Sequence, residues 1–427
     1  MRPPAWHWLV VFFLPALSVS AAPDVLLLSV DTLRADRLGC YGCPLDTSPN
    51  IDRLSRKALL FEDCVCEVPI TAPSMGSMLT SLYPRMTGTT RNGLRMPEDV
   101  PTVAEQFHAA GYYTFCVQSN WTLKAKLSGL DRGFADYNDD FHKKRWGIIK
   151  PERPADEVTD VALDMLEARP QDRPFFAWIH YTDPHAPYKM HKEYNPRGKT
   201  AWLAGRVEST RIKYDSEVAF TDAEIGRLLA ALGADTTILF VADHGESLHE
   251  HDYLGHGRRI YQHGIHVPLM IVAEGVPAGR TTAPVRGIDV APTLLGLAGL
   301  AKVPGMLGLD VLNEAVTADR PRVIETYGGA VPKLPGAKAL MEDTAPIYQG
   351  VLLRDWKYIT DGWRTELYRL DEDPLELEDV SGAAPERVAE LGALVEQWDA
   401  ATTQAEQGEE DLDEDDIEAL ESLGYLE

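Results

Sequence analysis

The feature that most restricts how this chain can fold is a set of short, nearly all-apolar runs that end on polar or charged residues. Asp24 to Val30 stops at Asp31, Phe175 to Tyr181 stops at Thr182-Asp183, and Thr237 to Val241 stops at Ala242-Asp243-His244. Runs this short, with no polar alternation, suit strands covered on both faces, as in a parallel sheet. Tyr112 to Gln118 and Val267 to Val272 read the same way. Between the runs lie amphipathic stretches at Val103 to Ala110, Asp156 to Arg169, Tyr214 to Leu232 and Val290 to Leu300. Strands alternating with helices predict an α/β domain: a central, mostly parallel sheet flanked by helices.

The C-terminal part reads differently. Arg322 to Thr326 is a further strand of the large domain, whereas Gly350 to Thr360 and Glu366 to Leu370 resemble antiparallel strands of a small subdomain. Residues 330 to 346, rich in Pro, Gly and Ala, read as a linker or covering loop. Pro385 to Asp399 is a helix, with Val388, Leu391, Val395 and Trp398 on one face. The expected division is 1–21 as a secretory signal, 22–328 as the large domain, 329–403 as a C-terminal subdomain with a short antiparallel sheet, and 404–427 as an acidic tail.

The first 21 residues carry Arg2, an apolar run from Trp8 to Leu17 and small residues at Ser18 to Ala22, the pattern of a segment that directs export. The run is short for a membrane span. Net charge is −25, and residues 401–427 contribute eleven Asp and Glu with no Lys or Arg. That balance argues against a nucleic-acid partner. Five cysteines are few for an exported chain of this size, so disulfides are not its main staple, and the odd count leaves at least one free thiol or an intermolecular bond.

Chemistry-bearing residues gather at the ends of the apolar runs, where open α/β sheets bind ligands. Asp31, Asp243 and His244 stand there, and nine of the twelve histidines fall between His180 and His266. His185 lies between two prolines in Asp183-Pro184-His185-Ala186-Pro187, which holds it in a rigid, non-helical loop. His256 is flanked by Gly255 and Gly257. His249, His251, His263 and His266 read as supporting or loop residues. Thr71 precedes Pro73, which fits the first position of a helix, so Thr71 stands where exposed N–H groups favour an anion. Two carboxylates, an imidazole and a hydroxyl form a mixed oxygen and nitrogen set suited to Ca, Mg, Mn or Zn.

Together, several stretches resemble the sulfatase family of the alkaline-phosphatase-like superfamily. They are Val30 to Gly42, Ser48 to Asp52, Thr71-Ala72-Pro73-Ser74 with Leu79-Thr80, Asp183 to Tyr188, Ala242 to Glu246, His266-Val267-Pro268, Asp289 to Leu295, and Glu366-Leu367-Tyr368 with Asp373-Pro374. The resemblance implies one divalent cation beside the nucleophile. Asp31, Asp243 and His244 match metal-ligand positions, His185 a substrate-contacting position, and His256 the place of a Lys or His that contacts the ester. The chain also departs from the family pattern. Sulfatases carry a Cys or Ser, oxidised to formylglycine, where Thr71 stands, and an Arg where Met75 stands. Thr32 replaces a second metal-binding Asp, and Asn120 and Thr122 replace a Lys and a His.

Threonine cannot become the formylglycine aldehyde, so no formylglycine is expected. A sulfated threonine would lack the second hydroxyl that expels sulfate from formylglycine. Phosphoryl transfer needs no such step, and a hydroxyl activated by a cation serves it. The sequence therefore predicts an exported, metal-dependent hydrolase of a phosphate or sulfate ester, on a small-molecule, glycan or lipid substrate. In this reading Thr71 is nucleophile and metal contact, Asp31, Asp243 and His244 hold the cation, His185 and His256 position the ester and protonate the leaving oxygen, and Asn120 touches substrate. The alternatives are a sulfuric ester hydrolase acting without formylglycine, and a catalytically inactive protein that binds an anion or glycan.

Overall fold

The apolar runs form the centre of an eight-stranded sheet in the computed structural model, which describes residues 22–141, 152–328, 345–406, 408 and 412–422. The strands are β1 (Val25–Val30), β2 (Leu59–Phe61), β3 (Tyr113–Val117), β4 (Asp136–Asn138), β5 (Phe175–Tyr181), β6 (Thr237–Ala242), β7 (Leu269–Val272) and β8 (Gly279–Thr281). Their order across the sheet is β8-β2-β7-β6-β1-β5-β3-β4. Every residue of β1, β5 and β6 is buried, as strands covered on both faces must be. Only β7 runs against the rest, antiparallel to both β6 and β2.

Helices α1 (Pro49–Ser55), α2 (Thr71–Thr80), α3 (Val103–Ala109), α4 (Ala155–Ala168), α5 (Arg206–Ala231) and α6 (Val290–Leu297) accompany the sheet. Three boundaries differ from the sequence expectation. Helix α2 begins at Thr71, which makes Pro73 its third residue, still within the turn that tolerates proline. Helix α5 begins at Arg206, eight residues before Tyr214, because its exposed first turns carry polar residues that no apolar face betrays. Between the Tyr112 to Gln118 run and the Asp156 to Arg169 stretch lies a strand with no counterpart in the sequence expectation, β4, a three-residue edge strand with no apolar run.

A second sheet has four antiparallel strands in the order β9 (Arg322–Thr326), β10 (Tyr348–Leu353), β11 (Trp356–Thr360) and β12 (Thr365–Arg369). Strand β9, expected in the large domain, pairs with β10 through Val323 and Val351, so the small sheet begins before residue 328. Helix α7 (Pro385–Ala401) covers it through Leu391 and Val395. In the acidic tail, α8 (Glu414–Ser422) docks: Trp121 Nε1 donates to Asp416 Oδ1 at 3.0 Å.

The expected signal segment, the basic run His142 to Arg145 and most of the 330–346 linker lie outside the described residues. Among the described residues, no helix is long and apolar enough to cross a membrane. All five cysteines are free thiols.

Candidate active site

Parallel register builds the site. Val30 lies beside Tyr181 on one side and Ala242 on the other, so Asp31 and Asp243 leave the sheet together at its carboxyl edge. Backbone bonds from Asp31 N to Tyr181 O (2.8 Å) and from Asp243 N to Val30 O (3.3 Å) fix their departure. Thr32 N and His244 N donate to Asp243 Oδ1 at 3.1 and 2.7 Å. Thr32 takes φ of 52°, strained for a β-branched residue, and this conformation lets its backbone reach Asp243. Gly245 follows because its neighbours leave no room: a Cβ there would stand 2.2 Å from the His263 carbonyl oxygen.

His244 Nδ1 donates to Gly245 O at 2.9 Å, which leaves the lone pair on Nε2. That nitrogen lies 3.8 Å from Asp31 Oδ1, 3.5 Å from Asp243 Oδ2 and 3.3 Å from Thr71 Oγ1. Thr71 comes to it as the first residue of α2, whose Ser74 Oγ donates to Asp243 O at 2.7 Å. Asp31, Thr71, Asp243 and His244 are all fully buried.

The electrostatics separate the two carboxylates. Burial opposes ionisation of Asp31, yet the neighbouring His180 imidazole and the charge of His185 hold it well below the usual carboxylate range. Burial, and then the charge on Asp31, push Asp243 well above it. Burial, followed by the charge of His256, lowers His244 to about 3, so its ring is neutral. Asp31 Oδ1 and Asp243 Oδ2 are buried without hydrogen-bond partners, and ligand atoms of Asp31, Asp243 and His244 lie within 4.8 Å of one another. Two orphaned carboxylate oxygens facing an imidazole lone pair are a donor set that a divalent cation satisfies. The residues present fit the cation that the sequence predicts.

Two more histidines stand over this cluster. The His256 ring lies 4.6 Å from that of His244 and 5.2 Å from that of His185. Glu246 Oε1 meets His256 Nδ1 at 3.2 Å, and Glu152 Oε1 meets His185 Nδ1 at 2.8 Å. Burial opposes a charge on His185, but the bond to Glu152 and then the charge of Asp31 lift it to about 10.

Thr71, Asp31, Asp243, His244, His185 and His256 thus share one site. Asn120 joins them through Asp31. Its Nδ2 donates to Asp31 Oδ2 at 2.6 Å, and its Oδ1 accepts from Thr122 N and Thr122 Oγ1, both at 2.9 Å. Those bonds describe a residue that orients Asp31. His251 and His266 are engaged elsewhere, with the Leu375 and Glu62 carbonyls.

His180, Glu152 and Glu246 contribute without having been singled out by sequence pattern. His180 is held by Ser29 Oγ at 2.8 Å and places Nε2 3.7 Å from Asp31 Oδ2. Its signal was its place near the end of β5, beside β1. Glu246 was signalled by its nearness to His244, whereas Glu152, in a loop, had no signal.

Residues 23–300 match the family model described as Sulfatase. The chain is 28% identical to an ulvan-active sulfatase of Formosa agariphila, over 73% of this chain and 70% of that one. It is 24% identical to an N-acetylglucosamine-6-O-sulfatase of Bacteroides thetaiotaomicron, over 94% and 89%. Among solved structures, a protein in complex with its substrate D-glucosamine-2-N,6-O-disulfate superposes with TM-score 0.73 and 21% identity, covering 89% of this chain and 98% of that one. A phosphonate monoester hydrolase of Agrobacterium radiobacter gives TM-score 0.72 and 21% identity, covering 88% and 95%. The match covers most of the chain and includes the strand ends that carry Asp31 and Asp243, and the chain belongs to the sulfatase family of ester hydrolases.

Proposed function

We propose that the protein is an exported, metal-dependent hydrolase that uses Thr71 as nucleophile, with a phosphate ester preferred over a sulfate ester. The observation that carries this is the approach of Thr71 Oγ1 to His244 Nε2, at 3.3 Å, beside two orphaned carboxylate oxygens. Asp31, Asp243 and His244 would hold the cation, with Thr71 as a further contact and Asn120 and His180 orienting Asp31. A bound divalent cation supplies charge neutralisation at the transferred group and lowers the pKa of the Thr71 hydroxyl.

In the first step, Thr71 Oγ forms a bond to phosphorus as the ester P–O bond breaks. The leaving oxygen takes a proton from His185 or His256, and the proton lost by Thr71 replaces it, so both imidazoles end the step as they began. Glu152 and Glu246 keep those rings oriented through Nδ1, which makes Nε2 the nitrogen that serves the ester. In the second step, water adds to phosphorus, the P–Oγ bond breaks, and a water proton returns to the Thr71 oxygen. A sulfated threonine has no equivalent exit through a second hydroxyl, which is why phosphate is favoured.

The substrate is proposed to be a small-molecule, glycan or lipid ester. Relatives that act on sulfated sugars keep a sulfate ester as the second reading. Metal-reconstituted protein is assayed side by side on an aryl sulfate, a phosphate monoester, a phosphodiester and a phosphonate monoester, with Thr71→Ala as control. Turnover of phosphorus esters that Thr71→Ala abolishes is the expected result. A sulfate-only profile refutes the phosphate preference, and wild-type turnover by Thr71→Ala refutes the nucleophile.

A further inference from the structure

We infer that Asp183, His191 and Glu217 form a second cation site, separate from the Asp31 cluster, for a divalent transition-metal ion such as Zn²⁺ or Mn²⁺. Ligand-capable atoms of these three residues lie within 4.8 Å of one another, as do those of Asp31, Asp243 and His244. The composition is also the same, two carboxylates and one imidazole.

Three separate segments bring the residues together. Asp183 follows the end of β5, and its Oδ2 accepts from Ala155 N, the first residue of α4, at 2.7 Å. Glu217 projects from the fourth turn of α5, and its Oε1 accepts from Lys189 N at 2.7 Å. His191 lies between them in sequence. Its backbone N–H donates to Ser216 Oγ at 3.1 Å, and its ring stacks on Phe220 at 4.2 Å and 12°. This stacking holds Nε2 4.0 Å from Glu217 Oε1, too long for a hydrogen bond.

Two atoms in the cluster point to a ligand. Glu217 is fully buried, and its Oε2 has no hydrogen-bond partner. His191 Nε2 is likewise buried with none. A buried carboxylate oxygen and a buried ring nitrogen left unpaired side by side cost free energy, which a shared cation would recover. Lys189 is exposed; its backbone N–H donates to Glu217, and its side chain reaches Glu217 and Asp183 as a nearby charge with no hydrogen bond to either. An imidazole in the donor set favours Zn²⁺ or Mn²⁺ over the all-oxygen preference of Ca²⁺ and Mg²⁺. Such an ion would tie the loop that carries His185 to α4 and α5. It would act as a structural clamp two residues from a catalytic histidine.

The test counts cations. Full-length protein is stripped with a chelator and reloaded with Zn²⁺ alone or Mn²⁺ alone, and bound metal per chain is measured by mass spectrometry. Wild type is expected to hold two, His191→Ala one, Asp31→Asn one, and the double variant none. His191 is only partly buried, so its truncation spares the core, and Glu217→Gln provides a second variant expected to hold one. Equal counts in wild type and in both His191→Ala and Glu217→Gln overturn the second site. A single wild-type cation that disappears in Asp31→Asn also overturns it and leaves the Asp31 site standing. A single cation that survives Asp31→Asn but not His191→Ala supports the second site and counts against the first.

Discussion

Replacing Asp243 with Asn should change stability in opposite directions according to whether a cation is present. The substitution keeps the carboxamide oxygen that accepts from Thr32 N and His244 N, and it exchanges Oδ2, which has no partner, for an uncharged NH₂. In metal-free protein, ligand oxygens of Asp31 and Asp243 lie within 4.8 Å in a fully buried site. Two charges at that distance repel by about 3.5 kcal/mol at an effective dielectric constant of about 20. Proton uptake by Asp243 relieves part of this at lower pH, so the measurement belongs near pH 8 and low salt. With 427 residues, an unfolding entropy of about 2.1 cal/mol/K per residue converts each kcal/mol into roughly 1 °C. In EDTA, Asp243→Asn should therefore melt up to about 3 °C above wild type. With cation at about 1,000 times its Kd, wild type gains about 4.1 kcal/mol that the variant largely forfeits, and the order should reverse. Differential scanning calorimetry under the two conditions measures both. A shift of the same sign and size in each would refute the like-charge pair and the cation that neutralises it.

Glu152→Gln should act through His185, which is lifted from 6.5 to about 10 against the effect of burial. Weakening that support should move the alkaline limb of the kcat profile towards lower pH, while KM changes little. The same pair stabilises the fold fully below pH 6.5 and loses that contribution as pH rises through about 10. Glu67 predicts a loss of the same sign at lower pH. Burial raises it from 4.5 to about 7, so the folded state holds its proton longer than the unfolded state and stability falls between those values. The loss is about 3 kcal/mol, and Glu67→Gln should remove it, which denaturant titrations at pH 5 and pH 8 would reveal as a flatter dependence.

The metal-ligand cluster was legible because it sits where unbroken apolar runs end. Asp31 and Asp243 follow strands buried on both faces, and parallel neighbours must deliver their ends to the same edge. Thr71 was legible through the motif around it and through what that motif lacks at Met75. Less could be read where neighbours decide the outcome. Arg322 to Thr326 looks like any half-apolar strand, and nothing in its residues says that it pairs with Tyr348–Leu353 instead of the large sheet. The reversed direction of β7 is equally silent, because a fully buried strand has the same composition either way. Asn120 occupies a position where the family pattern suggests a substrate contact, and nothing in the sequence announces its 2.6 Å bond to Asp31. Glu152 meets His185 from a loop with no periodicity to mark it.

The most direct test of the account is the covalent intermediate on Thr71. Wild-type protein, reconstituted with metal and mixed with an excess of an activated phosphate ester, is quenched in acid during turnover and digested, and its peptides are analysed by mass spectrometry. The account predicts one phosphoryl group on the peptide containing Thr71, absent from the Thr71→Ala variant. Steady turnover of the ester with no modified Thr71, and undiminished turnover by Thr71→Ala, would contradict it.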